Sequence, residues 1–100
     1  MSDLAAALDE AAAASGGTRI ERGNGVDYEV NGRVVASVGP GGAEFHLGSD
    51  VAPAATGTPD TQASPRGPGW VLFRPRVLDR FALDRIAAWL GLAVRLGLRG

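Results

Sequence analysis

The chain contains no cysteine and no lysine, and only one histidine, one tyrosine and one methionine. Without cysteine there are no disulfides, no thiolate catalysis and no cysteine-based zinc site, and the redox compartment stays open. With His46 as the sole histidine, and no Gly-x-Ser-x-Gly elbow, serine hydrolysis lacks its base and its turn. No apolar run approaches the length of a membrane span. The first residues are acidic and alanine-rich, without the basic region and apolar run of a secretory signal, so a cytoplasmic protein that does not enter the membrane is expected. The missing lysine makes all ten basic residues arginine, in a chain also rich in Ala, Gly and Pro, which reads as coding bias.

What remains is ordinary globular composition: 100 residues, 45% hydrophobic and 21% charged. That bounds the chain to one domain, residues 1–100, with a modest core. Charge is uneven along it. Residues 1–65 hold three Arg against nine acids, and residues 66–100 hold seven Arg against two. Such asymmetry can mark an anionic partner. It also arises when two halves of a fold meet and neutralise each other, which a sheet and its covering helix must do.

Residues 26–47 carry the clearest pattern. They read as three short strands, 26–29, 33–38 and 43–47, punctuated by Asn31-Gly32 and by Gly39-Pro40-Gly41-Gly42. Two readings of the first turn compete. A two-residue loop places Glu29 opposite Val34 and Asp27 opposite Ala36, burying acids beside apolar residues. A three-residue loop with Gly32 left-handed in a bulge pairs Tyr28 with Val34. The second reading gathers Val26, Tyr28, Val34, Ala36, Val38, Ala43, Phe45 and Leu47 on one face, and is preferred because a one-residue slip would turn that set toward water. The other face collects Asp27, Glu29, Arg33, Ser37, Glu44 and His46, with Val35 as an apolar intruder.

Elsewhere, Ser2 can cap a helix over residues 3–14, whose apolar stripe of Leu4, Leu8 and alanines is narrow, and which Gly16-Gly17 ends. Residues 18–22 form a further strand, with Ile20 opposite Tyr28 and Arg19 beside Glu29. Residues 48–69 are dense in Pro, Thr, Ser and Gly. Ser49 can cap a short helix over 50–55, and 56–69 reads as a long loop. Trp70-Val71-Leu72-Phe73 is apolar on both faces, as in a strand covered on both sides or meeting another molecule. Asp79 caps a last helix running to about Leu96, with a broad apolar arc that includes Ile86, Trp89 and Leu90 and with Phe81 and Leu92 outside it. The expectation is an α+β fold in two layers: an antiparallel sheet of about five strands, with the N- and C-terminal helices packed on one face.

The strand Gly32-Arg33-Val34-Val35-Ala36-Ser37-Val38 is followed by Ala43-Glu44-Phe45-His46-Leu47 and then Asp50-Val51-Ala52. Trp70-Val71-Leu72-Phe73 leads into the last helix. This order resembles the MmcQ/YjbR-like group of small bacterial proteins, and the N-terminal domain of TfoX-type competence regulators is similar in layout. The resemblance covers about residues 18–96. It implies a two-layer α+β fold, like that of type III secretion chaperones, and a nucleic-acid-linked regulatory role. It implies no catalytic set.

Candidate chemistry is sparse. Glu44 and His46 share a polar face with Asp27 and Glu29, but an open strand face lacks the spacing and enclosure of a metal site. No metal or cofactor is expected. The carboxylates would need burial to act as an acid and base pair. Gly39-Pro40-Gly41-Gly42 lies between antiparallel strands and is a turn, not a phosphate loop. The strongest ligand candidate is Arg66, Trp70, Arg74 and Arg76 beside the long loop, since arginines flanking an aromatic suit anions. Either Val71 and Phe73 or Trp70 and Leu72 must face outward from their strand; Val35, Val71, Phe73, Phe81 and Leu92 are candidate interface residues, because apolar side chains beyond the core mark association surfaces. The expected function is a non-catalytic interaction module, not an enzyme, that forms a homodimer or binds a protein partner. The alternatives are a nucleic-acid-linked regulator and an anion or small-molecule binder built on the arginine cluster.

Overall fold

The computed structural model of the chain describes residues 3–99, so the proposed Ser2 cap lies outside the described residues. The elements are α1 (Asp3–Ser15), β1 (Thr18–Arg22), β2 (Gly25–Val30), β3 (Arg33–Gly39), β4 (Gly42–His46), α2 (Ala52–Thr56), β5 (Thr61–Ala63), β6 (Trp70–Phe73) and α3 (Arg80–Arg99). The strands form one antiparallel sheet in the order β1-β2-β3-β4-β6-β5. Both long helices pack on the same face of it and on each other. The α+β architecture is as expected, with six strands in place of about five. The extra strand is β5, hidden within the residues 56–69 that read as loop; a three-residue segment is too short to show a period.

The β2–β3 hairpin combines the two readings of its turn. Val30 sits opposite Arg33, so the loop is the two-residue Asn31-Gly32, with both residues at positive φ (53° and 76°). This is the twist that suits a hairpin and that Asn-Gly adopts readily. The register then shifts between Tyr28 and Glu29: Glu29 faces Val34, whereas Tyr28 faces Ala36. The bulge therefore lies in β3, at Val35, and not at Gly32. One extra residue flips the phase of the strand, so Val26, Tyr28, Ala36 and Val38 still reach the core. Two corrections follow from that flip. Val34 moves to the outer face, opposite Glu29, and Val35 becomes fully buried.

At the opposite end, the two-residue Gly23-Asn24 turn sets Arg22 opposite Gly25. Arg19 thus faces Tyr28 and Ile20 faces Asp27, one residue away from the expected pairing. Ile20 gives up the inner face to Arg19 because α1 supplies Arg19 with an acid there. The Arg19 Nε–H donates to Asp9 Oδ1 at 3.0 Å, and the Tyr28 hydroxyl donates to the same oxygen at 2.6 Å. This clasp supplements the narrow apolar stripe of α1, in which Leu8 and Ala12 are buried. Gly16 (φ 95°) then ends the helix, and the Gly16 and Gly17 N–H groups both donate to the Ala12 carbonyl.

Burial, reinforced by the hydrogen bond to Asp9, holds the Tyr28 hydroxyl well above the usual phenol range. A raised folded-state value means that stability is fully present below about pH 10 and falls as pH rises beyond it. Tyr28→Phe is expected to cost about 1 kcal/mol at neutral pH, the usual worth of one hydrogen bond, and to remove part of that alkaline loss. Urea denaturation at neutral and alkaline pH checks both.

Helix α3 starts as expected. Asp79 caps it, with the Ala82 N–H donating to Asp79 Oδ1 at 2.9 Å. Its buried residues, Ala82, Ile86, Leu90, Ala93, Val94 and Gly97, form a stripe against β2, β3 and β4. Ile86 and Leu90 each contribute roughly 1.5–3 kcal/mol by burial. Trp89 closes the layer, meeting Phe45 and Phe73 edge to face at 5.7 and 5.5 Å between ring centroids. Among the described residues no helix is long and apolar enough to cross a membrane.

Candidate functional site

The outer face of the sheet is a pleated surface whose composition follows from the register. Ile20, Asp27, Ser37, Glu44, Leu72 and Gln62 stand opposite one another in turn and make one row across all six strands. The next rung pairs His46 with Trp70. Two carboxylates thus flank Ser37 in the middle of the sheet. Together with Gly39 and two arginines, Arg22 and Arg66, they line an open depression of about 530 Å³.

The arginines come from the sheet edge and from the loop between β5 and β6. That loop folds back over the outer face, held by the Ser64 N–H to the Trp70 carbonyl (3.1 Å) and the Trp70 N–H to the Gly67 carbonyl (3.2 Å). It lowers Arg66 onto the row. The Arg66 Nε–H donates to Glu44 Oε1 at 3.0 Å and Nη2 donates to Ser37 Oγ at 2.9 Å. Nη2 also stands 3.6 Å from Asp27 Oδ1, while the guanidinium lies 4.9 Å from the centre of the Trp70 ring. The Ser64 hydroxyl donates to the other oxygen of Glu44 and accepts from the Arg66 backbone N–H. Arg22 pairs with Asp27 at 3.2 Å and with Glu29 at 3.0 Å. Charges therefore alternate across the face as Glu29, Arg22, Asp27, Arg66 and Glu44, each meeting its opposite.

This arrangement sets the chemistry of Glu44. Burial alone would push its carboxyl up, but the hydrogen bonds from Ser64 and Arg66, and the charge of Arg66, outweigh it and hold the group below the usual carboxylate range. A depressed folded-state value contributes stability that is present above about pH 4.5 and is lost as pH falls. Glu44→Gln is expected to remove part of the acid sensitivity of the protein while lowering its stability at neutral pH. Denaturation midpoints between neutrality and mild acid check the prediction, and an unchanged acid slope would contradict it.

The sequence-derived ligand cluster is divided by the fold. Arg66 and Trp70 do meet, as described. Arg76 lies at another turn, where its backbone N–H donates to Asp60 Oδ2 at 3.2 Å and its exposed guanidinium stands 3.5 Å from the same carboxylate. The Arg74 N–H donates to the Asp60 carbonyl, and its side chain is exposed beside Gly42. Trp70 is half-buried on the outer face and tilts against His46, with ring centroids 5.3 Å apart. Among the described residues no group of three His, Asp or Glu side chains is placed to hold a metal ion.

The interface candidates divide as well. Val35, Val71 and Phe73 are fully buried in the core, which corrects their reading as exposed. The bulge turned Val35 inward, and the pairing of Phe45 with Val71 and of Ala43 with Phe73 fixes β6 with Trp70 and Leu72 outward. Leu92 is half-buried against the core. Phe81 remains 77% exposed. With Val77, 67% exposed, and Pro59 it borders a depression of about 370 Å³ above Phe73.

Sequence reading placed Asp27, Ser37 and Glu44 on one polar face but missed Arg22, Ser64 and Arg66 as their partners. No local signal marks a loop that crosses a sheet, and the β1 register was one residue off. Comparison of the chain with protein-family models, curated proteins and solved structures finds no match.

Proposed function

We propose that the chain is a non-catalytic, cytoplasmic interaction module that associates with itself or with a protein partner. The observation that carries this reading is the exposed pair of Val77, just before α3, and Phe81, in its first turn. A fold that buries Tyr28, Phe45, Phe73, Ile86 and Leu90 leaves a phenylalanine ring in water beside a shallow depression. Its rim is charged in both signs by Arg76, Asp60, Asp79 and Arg85. An apolar centre with a polar rim is the anatomy of an association surface.

The outer face supports the non-catalytic part. A carboxylate held ionised by an arginine is a poor proton donor and a weak base at neutral pH, and Glu44 is so held. The same pairing weighs against an anion site at Arg66, because a phosphate would have to displace two carboxylates. Kinship with the MmcQ/YjbR-like group would add a nucleic-acid-linked role. Arg66 and Arg76 spend their charge on acids of the same chain, and the expected result of a gel shift at low salt is no complex.

Light scattering at micromolar concentration is expected to give a mass above that of one chain, and Phe81→Asp is expected to reduce the retention of the protein on a hydrophobic matrix. A strict monomer whose retention is indifferent to that substitution contradicts the reading.

A further inference from the structure

Strand β1 is an edge of the sheet, paired on one side only. Its turn decides which backbone groups are left over. Arg22 and Gly25 close a two-residue loop and form a hydrogen-bonded pair, so Thr18, Ile20 and Arg22 direct their N–H and C=O groups toward β2. Arg19 and Glu21 direct theirs away from the sheet. Both residues are exposed, and the Glu21 side chain is 78% accessible.

Charged edge strands usually resist pairing, because most registers bring like charges together. The segment Thr18-Arg19-Ile20-Glu21-Arg22 has one register that does the opposite. Laid antiparallel against a copy of itself and centred on Ile20, it sets Arg19 opposite Glu21 and Thr18 opposite Arg22. Centring on Arg19 or on Glu21 instead sets a charge opposite its own kind. The Ile20-centred register is also the one in which the free donors and acceptors match, since Arg19 and Glu21 become reciprocal hydrogen-bonded pairs on either side of the axis.

We propose that a second copy of this chain pairs with β1 across a two-fold axis at Ile20, so that the sheet runs continuously through a dimer. The inference rests on the reading of the chain as an interaction module and names one of its partners. The two Ile20 side chains meet on the outer face as a non-hydrogen-bonded pair, the closer of the two pair types. On the helix face the Arg19 and Glu21 side chains of both copies alternate in sign. Within its own chain Arg19 pairs with Asp9 at 3.0 Å and with Glu21 at 3.4 Å, so a second copy would extend an existing exposed ion-pair network and not supply its first acid. The surface around Phe81, which borders the β5–β6 end of the sheet through Pro59 and Phe73, stays open for a different partner.

Charge reversal tests the pairing. Arg19→Glu and Glu21→Arg each place like charges opposite one another, and each is expected to weaken the dimer about tenfold or more. An equimolar mixture of the two is expected to form a heterodimer, because every Glu then faces an Arg. Sedimentation equilibrium reads the masses and native mass spectrometry distinguishes the pairings. Arg19→Glu also loses Asp9, so Ile20→Asn, which removes no ion pair of the chain and adds no charge opposite Asp27, serves as a second variant and is expected to weaken the dimer. Heterodimer formation in the mixture supports the proposal. A mixture as monomeric as its folded components overturns it. A wild-type oligomer that survives all three substitutions overturns the edge pairing and leaves the interaction module standing. A monomeric wild type overturns the pairing, and the Phe81→Asp comparison then decides the module.

Discussion

Phe45→Ala is expected to cost about 3–5 kcal/mol, the range for removing a phenylalanine from a close-packed core. Phe45 is fully buried in β4, between β3 and β6, opposite Ala36 on one side and Val71 on the other. Trp89 meets it edge to face at 5.7 Å. The neighbours cannot close the gap. Ala36 is small, and Trp89 is also held by Phe73 at 5.5 Å and by Arg85 above its ring. A domain of this size has a total stability of about 5–15 kcal/mol, so the variant should be marginally folded at room temperature. Urea denaturation measures the change. A loss below about 1 kcal/mol would mean that Phe45 is not at the centre of the core.

The second large effect concerns two glycines of α3. By helix propensity alone, Gly→Ala in a helix interior gains up to about 1 kcal/mol. At Gly97 packing is expected to win. A Cβ there would meet Val35 Cγ1 at 2.8 Å and Val30 Cβ at 3.2 Å, and both valines are buried. Neither can withdraw, since Val35 is the bulge residue and Val30 closes the turn. Gly97→Ala is therefore expected to destabilise by about 1–3 kcal/mol, the cost of overpacking. Gly91 is the internal control. A Cβ there meets nothing closer than Arg95 Nη1 at 3.5 Å, so Gly91→Ala should be neutral or stabilising. Opposite signs at two positions of one helix would establish that α3 rides closest to the sheet over the bulge. Equal signs would contradict it.

The contrast also explains what could be read from the sequence. The two long helices, the four-strand meander, the Asp79 cap and the burial of Tyr28, Phe45 and Leu47 were legible, because each rests on local pattern or on one apolar face; the short helix instead begins at Ala52 with Val51 at its N-cap and no side-chain cap, so Ser49 does not cap it. The bulge was misplaced because Asn31-Gly32 admits two turns. The sequence criterion of one apolar face is met by a bulge at either Gly32 or Val35. Both place a valine, Val34 or Val35, inward on β3, so the local pattern does not separate them. Ile20 was misassigned for a similar reason: an apolar side chain was expected inward, and the acid that holds Arg19 there, Asp9, comes from another element. On the outer face the acids were legible and their arginines were not. Arg66 reaches Glu44 through a loop whose course depends on β5.

The sheet buries one face and, on the other, pairs its charges among themselves, and that pairing is what supports the proposed non-catalytic role. The pH titration of the Glu44 side-chain carboxyl, followed by carbon NMR on labelled protein, tests this most directly. Glu44 bound to Ser64 and Arg66 should titrate below the ordinary glutamate value of about 4.5. A carboxyl that titrates above that value, toward neutrality, would be a proton donor waiting for a substrate, and would contradict the account.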